Sequence, residues 1–145
     1  MSPMIVVDGA HNRHGLEALC ESMQMLRSRV PGHLHLLVGM LRDKDPGEAL
    51  AALEILFTGG EAFLPGVIEV VTPDSPRAMP ADELANLLRR MPCLADAEIC
   101  VADTVDAACR AAVGRLNEQD GLLSFGSLYL AAETRLSLRR ALDLS

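Results

Sequence analysis

The chain has 145 residues, of which 50% are hydrophobic and 23% charged, with a formal net charge of -7. That apolar content excludes a disordered chain, and the acidic balance disfavours a nucleic-acid partner, which needs clustered Lys and Arg to neutralise phosphate. No apolar stretch approaches the ~20 residues that a membrane-spanning helix requires, so the reading is one domain able to bury roughly 70% of its unfolded surface.

Met4 to Val7 is a short β-branched run, read as a buried strand. From Asn12 to Ser28 the period changes to that of a helix. Leu16, Leu19, Cys20, Met23 and Leu26 share one face, and Glu17, Glu21, Gln24 and Arg27 the other. Pro31-Gly32 ends that helix. His33 to Met40 reads as a second strand. Pro46 suits the first turn of a second helix, with Leu50, Leu53 and Leu56 inward, and Gly59-Gly60 closes it.

Val67 to Val71 reads as a third strand. Pro80 opens a third helix with Leu84, Leu87, Leu88 and Met91 inward. Ile99 to Val101 is a fourth strand, followed by a helix capped by Thr104 and running to about Leu116. Gly121 to Phe125 is a fifth strand, and Ser127 caps a last helix that reaches about Ala141. Alternating strands and helices predict an α/β fold over residues 1–145. The sheet should be doubly wound, mostly parallel and five- to six-stranded, with helices on both faces. The strands read as continuous apolar runs, as doubly covered parallel strands do.

In such sheets ligands bind at the carboxyl ends of the strands. Those ends deliver Asp8-Gly-Ala-His-Asn12, Gly39 to Asp45, Thr72-Pro-Asp-Ser-Pro-Arg77, Ala102-Asp103-Thr104 and Gly126-Ser127. Asp8 needs partners there, because a carboxylate at the end of an apolar strand is costly to leave unpaired. His11 and Asn12 fall at the mouth of a helix, where N–H groups favour anions. The same loop suits a plain strand-to-helix turn in which Asp8 and Asn12 only satisfy backbone groups. Lys44, between Asp43 and Asp45, offers a point charge for a phosphate or carboxylate; a solvated polar loop fits these residues equally well. Arg77 offers the same charge or a surface position. Ser127 is a cap, and a cap beside a cleft also suits an anion.

His33 and His35 lie at the start of strand two, away from that edge, and read as structural; His14 reads as exposed. Cys20, Cys93, Cys100 and Cys109 form no C-x-x-C pair. Cys20, Cys100 and Cys109 sit in apolar runs as small buried hydrophobes, so no metal site is expected. Met1 to Val7 has neither a basic start nor a long apolar run, so no secretory leader is expected and the compartment reads as reducing and cytoplasmic. There is no G-x-x-x-x-G-K-[ST], no G-x-G-x-x-G after strand one and no G-x-S-x-G.

Asp8-Gly-Ala-His-Asn12 after an apolar strand resembles the start of the C-terminal domain of folylpolyglutamate and dihydrofolate synthases, a family within the Mur ligases. Met40-Leu-Arg-Asp-Lys-Asp45 is similar to that family's second-strand loop, Arg77-Ala78 to its third, and Gly126-Ser-Leu-Tyr-Leu130 to its last strand-to-helix turn. Arg13 departs from the family, which commonly has proline there. The resemblance covers nearly the whole chain but about the last third of a family member.

It implies the closing domain of a ligase that uses ATP and Mg2+ to activate a folate carboxylate as an acyl phosphate, which the amino group of L-glutamate then displaces. The partner is an N-terminal ATP-binding domain outside this chain, so the chain alone should be inactive. The resemblance makes Asp8 and Asn12 nucleotide-binding and His11 catalytic. It makes Ser127, Lys44 and Asp43 glutamate-binding, and Arg77 a further cleft residue. On the residues alone, two other readings stay open: a free-standing nucleotide- or anion-binding regulatory module, and a non-catalytic interaction domain with the same fold.

Overall fold

The computed structural model describes residues 2–144. Five strands form a single sheet: β1 (Met4–Val7), β2 (His33–Val38), β3 (Leu64–Val70), β4 (Glu98–Val101) and β5 (Gly121–Phe125). Their order is β1-β5-β2-β3-β4, and every pairing is parallel. Among the described residues the sheet thus has five strands, with no antiparallel edge strand.

The helices are α1 (Arg13–Gln24), α2 (Pro46–Leu50), α3 (Glu54–Phe57), α4 (Ala81–Arg89), α5 (Val105–Arg115) and α6 (Leu128–Leu144). Leu16, Cys20 and Met23 of α1 pack with Leu50, Leu56, Leu84 and Leu88 over Leu34, Leu36, Val38, Ile68, Val70, Leu123 and Phe125. On the other face Val105, Ala108, Cys109, Leu130 and Leu138 cover Leu37, Val71 and Leu122. The rightward crossovers therefore use one face of the sheet. The single leftward return from β4 to β5 uses the other, which keeps one crossover hand throughout.

Several boundaries differ from the periodicity. The second predicted helix is two short helices joined by a 3-10 turn over Ala51–Leu53. The first stops at Gln24, with a separate 3-10 turn over Arg27–Arg29 in place of its last turn. β1 is not a buried strand: all four residues are half-buried, because it is a sheet edge bonded only to β5. β4 is the opposite edge, with Glu98 and Val101 exposed, so Cys100 is half-buried, not a core residue. Only β2 after His33 and the whole of β5 are covered on both faces. An apolar run reports what its residues prefer, whereas strand order decides how much cover each strand receives.

At the amino end of the sheet a buried polar staple replaces apolar packing. Asp120, 3% exposed, accepts hydrogen bonds from His33 N (2.9 Å), His35 Nε2 (3.1 Å) and Asn117 N (3.3 Å). Val67 N–H donates to His35 Nδ1 at 2.9 Å. That lone pair being taken, the ring carries its proton on Nε2 and donates it to Asp120. The ring fits because residue 66 is glycine: a Cβ there would lie 2.5 Å from His35 Nδ1. His35 is structural, as the sequence suggests. On the α5 face, buried Glu69 of β3 is paired with Arg115.

Candidate functional site

The carboxyl ends of the strands carry the loops that matter, and backbone geometry sets each one. Asp8 N donates to Ser124 O (2.9 Å), extending the β1–β5 ladder by one bond. The Asp8 carboxylate then turns the chain by accepting from Ala10 N (2.8 Å). Asn12 is the N-cap of α1, with Oδ1 accepting from Gly15 N at 2.8 Å. Between them His11 Nδ1 lies 2.9 Å from Gly9 O. A carbonyl only accepts, so Nδ1 carries the proton and the Nε2 lone pair is left free.

Gly126 follows β5 at φ +122, conformational space that L side chains rarely occupy, and a Cβ there would sit 2.1 Å from Gly39 O. Glycine thus lets the β5 and β2 ends meet, tied by Gly39 N to Phe125 O (3.4 Å). Ser127 follows, with no exposed surface, and its Oγ accepts from Tyr129 N at 3.1 Å to cap α6.

Lys44 is placed by a 3-10 turn over Arg42–Lys44 and by Asp45, a left-handed residue at φ 47 that caps α2 through Glu48 N. This loop is stitched to the β3 loop. Arg42 N donates to Arg77 O (2.8 Å), Met79 N donates to Met40 O (2.9 Å), and Arg77 Nη1 donates to Asp43 Oδ2 (2.8 Å). The Tyr129 hydroxyl and the Asp43 carboxylate hold the Arg77 guanidinium above its usual value.

These loops enclose a cleft of about 510 Å³ lined by His11, Lys44, Arg77, Ser127, Tyr129 and Glu133, with Leu41, Asp74, Leu128 and Ala132 completing its wall. Four of the seven residues singled out in the sequence, His11, Lys44, Arg77 and Ser127, meet here. Asp43 does not line it but holds Arg77 from behind. Asp8 and Asn12 shape the His11 loop and lie outside the wall.

Tyr129 and Glu133 were not among the candidates. They are spaced i, i+4 on the helix that starts at the Gly126-Ser127 turn, so one face of α6 carries both, but that spacing alone singles out neither.

Among the described residues no three His, Cys, Asp or Glu side chains converge to hold a metal ion. The four cysteines are free, and burial, reinforced by nearby carboxylates, pushes the Cys20 and Cys109 thiols up to about 12. No helix of the described residues is long and apolar enough to cross a membrane.

A parallel sheet whose strand ends gather an imidazole, an ammonium and a guanidinium around a helix-mouth loop is a doubly wound α/β domain with its cleft at the carboxyl edge. Residues 2–128 match the family described as Mur ligase, glutamate ligase domain, and the chain belongs to that family.

Among curated proteins it is 33% identical over 141 residues to a probable bifunctional folylpolyglutamate synthase/dihydropteroate synthase of Haloferax volcanii, covering 96% of this chain and 15% of that protein. It is 30% identical over 133 residues to a dihydrofolate synthase/folylpolyglutamate synthase of Haemophilus influenzae, covering 90% and 28%. Among solved structures it is similar to E. coli FolC in complex with DHPP and ADP, with a TM-score of 0.74, 26% identity, and coverage of 94% of this chain and 29% of that one. The chain thus spans less than a third of each of these proteins, and it corresponds to their C-terminal part.

Proposed function

We propose that this chain is the C-terminal closing domain of an ATP-dependent ligase that adds L-glutamate to a folate through an acyl phosphate, as a folylpolyglutamate synthase with or without dihydrofolate synthase activity. The observation that carries this reading is the convergence of His11, Lys44, Arg77 and Ser127, from four different strand ends, on one cleft. Solved relatives described as holding ADP, or AMPPNP and Mn with L-glutamate, support a nucleotide and an amino acid as the ligands of the whole enzyme. The preceding domain is then this domain's partner, and it supplies the grip on the triphosphate and the metal. Free thiols in all four cysteines fit a cytoplasmic enzyme.

The geometry supports a role for each residue. Amide formation through an acyl phosphate needs the amine positioned, the phosphate charge offset and water kept out. Lys44 and Arg77 provide the positive charge for a phosphate or a substrate carboxylate. His11 presents Nε2 as a base for the attacking amine, its other nitrogen being fixed on Gly9 O. Asp8 keeps one carboxylate oxygen for nucleotide hydroxyls, because its bond to Ala10 N uses the other. Asn12 orients the loop beside the nucleotide by capping α1. Ser127 and Asp43 act on the glutamate end, Ser127 by setting the first turn of α6 and Asp43 by holding Arg77.

The test is kinetic, in the intact polypeptide that carries this chain. His11→Ala should lower kcat roughly ten- to a hundredfold with the fold intact, the worth of one hydrogen bond to a charged partner. Asp8→Ala should raise the KM for ATP. A lowered Tm with both constants unchanged would make the loop structural and sink this reading.

A further inference from the structure

Beside the cleft one residue holds a backbone conformation that its chemistry disfavours. Asp45, at φ 47 and ψ 68, is the one non-glycine residue at positive φ among the described residues. Residues with a Cβ rarely adopt that region, although the short polar side chain of Asp tolerates it better than most. Pro46 follows, and the residue before a proline prefers extended backbone. Asp45 is thus disfavoured twice over, and such a conformation persists only where its surroundings over-determine it.

The anchors lie on both sides. Downstream, the buried residues Pro46, Ala49 and Leu50 seat α2 in the core. Ala49 N donates to Asp45 O (3.1 Å) and Glu48 N to Asp45 Oδ1 (3.4 Å). Upstream, Leu41 is buried and Arg42 N is bonded to Arg77 O. Between these anchors runs the 3-10 turn Arg42–Lys44, which ends on Lys44. Lys44 is half-buried in the cleft wall, and its side chain makes no ion pair or hydrogen bond among the described residues. Its direction is therefore left to the backbone on either side of it.

From this arrangement we infer that Asp45 is a positioning residue whose left-handed backbone, and not its charge, directs Lys44 into the cleft. Relaxation of residue 45 to the extended region would re-aim the chain at that point. The first turn of α2 is packed in the core, so the displacement falls on the 3-10 turn and carries Lys44 away from the wall. Asp stands where glycine would fit more easily because its carboxylate also caps α2. This rests on the reading of Lys44 as the contact for an anionic group of a substrate, and it adds what holds that contact in place.

A conformational role has its own signature: glycine, and not alanine, can replace Asp45. The test is steady-state kinetics with each substrate in turn, together with thermal melts, on the intact polypeptide that carries this chain. Lys44→Ala should raise the KM of the substrate that Lys44 holds roughly ten- to a hundredfold, the range for one charge-assisted hydrogen bond. Asp45→Ala should raise that same KM toward the Lys44→Ala value and leave those of the other substrates unchanged. Asp45→Gly and Asp45→Asn, which both accept positive φ, should keep the parent KM. The Lys44→Ala/Asp45→Ala double variant should be no worse than Lys44→Ala alone.

A KM raised as far in Asp45→Gly or Asp45→Asn as in Asp45→Ala would make the carboxylate the active feature and overturn the inference. A lowered Tm in Asp45→Ala with every KM at the parent value would make Asp45 a plain helix cap and overturn it too, as would additive effects in the double variant. Parent values for every KM in Lys44→Ala would overturn both the inference and the reading of Lys44 on which it rests.

Discussion

Arg77 Nη1 donates to Asp43 Oδ2 at 2.8 Å, so two residues that the sequence offers as separate ligands form one unit at the lip of the cleft. Asp43 comes from the β2 loop and Arg77 from the β3 loop, and the backbone bond from Arg42 N to Arg77 O joins the same two segments. Asp43 thus governs where the guanidinium sits and not whether it is charged.

The pairing predicts coupled kinetics. In the intact polypeptide, Asp43→Ala and Arg77→Ala should each raise the KM for glutamate by up to about fivefold, the scale of an exposed pair. The double variant should be no worse than the poorer single one. Both side chains are exposed, so the melting temperature should hold. Additive effects on KM would mean that the two residues act independently.

A second prediction concerns the staple at the opposite end of the sheet. Burial pushes the Asp120 carboxyl up, but the His33 and Asn117 N–H groups and the His35 ring outweigh it and hold the carboxyl below the ordinary value. A carboxyl whose folded value is depressed contributes stability above its unfolded value, and that contribution is lost as the pH falls through the folded value. Asp120→Asn should therefore be less stable near neutrality, by about 1–3 kcal/mol, and its stability should fall less steeply on acidification than that of the parent. Chemical denaturation from pH 7 down to about pH 3 checks this. Parallel curves for the two proteins would remove Asp120 as the acid-sensitive group. Gly66→Ala should be destabilising at every pH, because its methyl group meets the His35 ring.

The helix that carries the His11 loop gives a third prediction. Asn12→Ala removes the bond to Gly15 N and should cost about 1 kcal/mol of stability, whereas Asn12→Asp should retain it. Thermal melts decide the outcome. An unchanged Tm in Asn12→Ala would show that the cap is dispensable and that Asn12 serves a ligand alone.

The strand-helix alternation was legible because β-branched runs and amphipathic periods are local properties. Thr104 and Ser127 were legible as caps for the same reason. The order of the sheet was not. Nothing in Met4 to Val7 says that β5 returns between β1 and β2, so the partial burial of β1 was out of reach. The break in the helix after Pro46 was also hidden, since its leucines keep a helical spacing through the 3-10 turn. In the site, residues at strand ends could be found by position, which is why His11, Lys44, Arg77 and Ser127 were named. Glu133 could not, because a Glu one turn into an amphipathic helix ordinarily faces water. Only the fold shows that its Oε1 is buried without a hydrogen-bond partner among the described residues. The Asp43–Arg77 pair, 34 residues apart in sequence, likewise needs the fold.

The most direct measurement of the central claim is the release of ADP by the intact polypeptide that carries this chain, assayed with and without a reduced folate and L-glutamate, and in parallel by the 145-residue chain alone. ADP release should require both substrates, yield a folate lengthened by one glutamate, and fall sharply in His11→Ala, while the isolated chain releases none. ADP release that ignores L-glutamate, or glutamate addition by the isolated chain, would contradict the account.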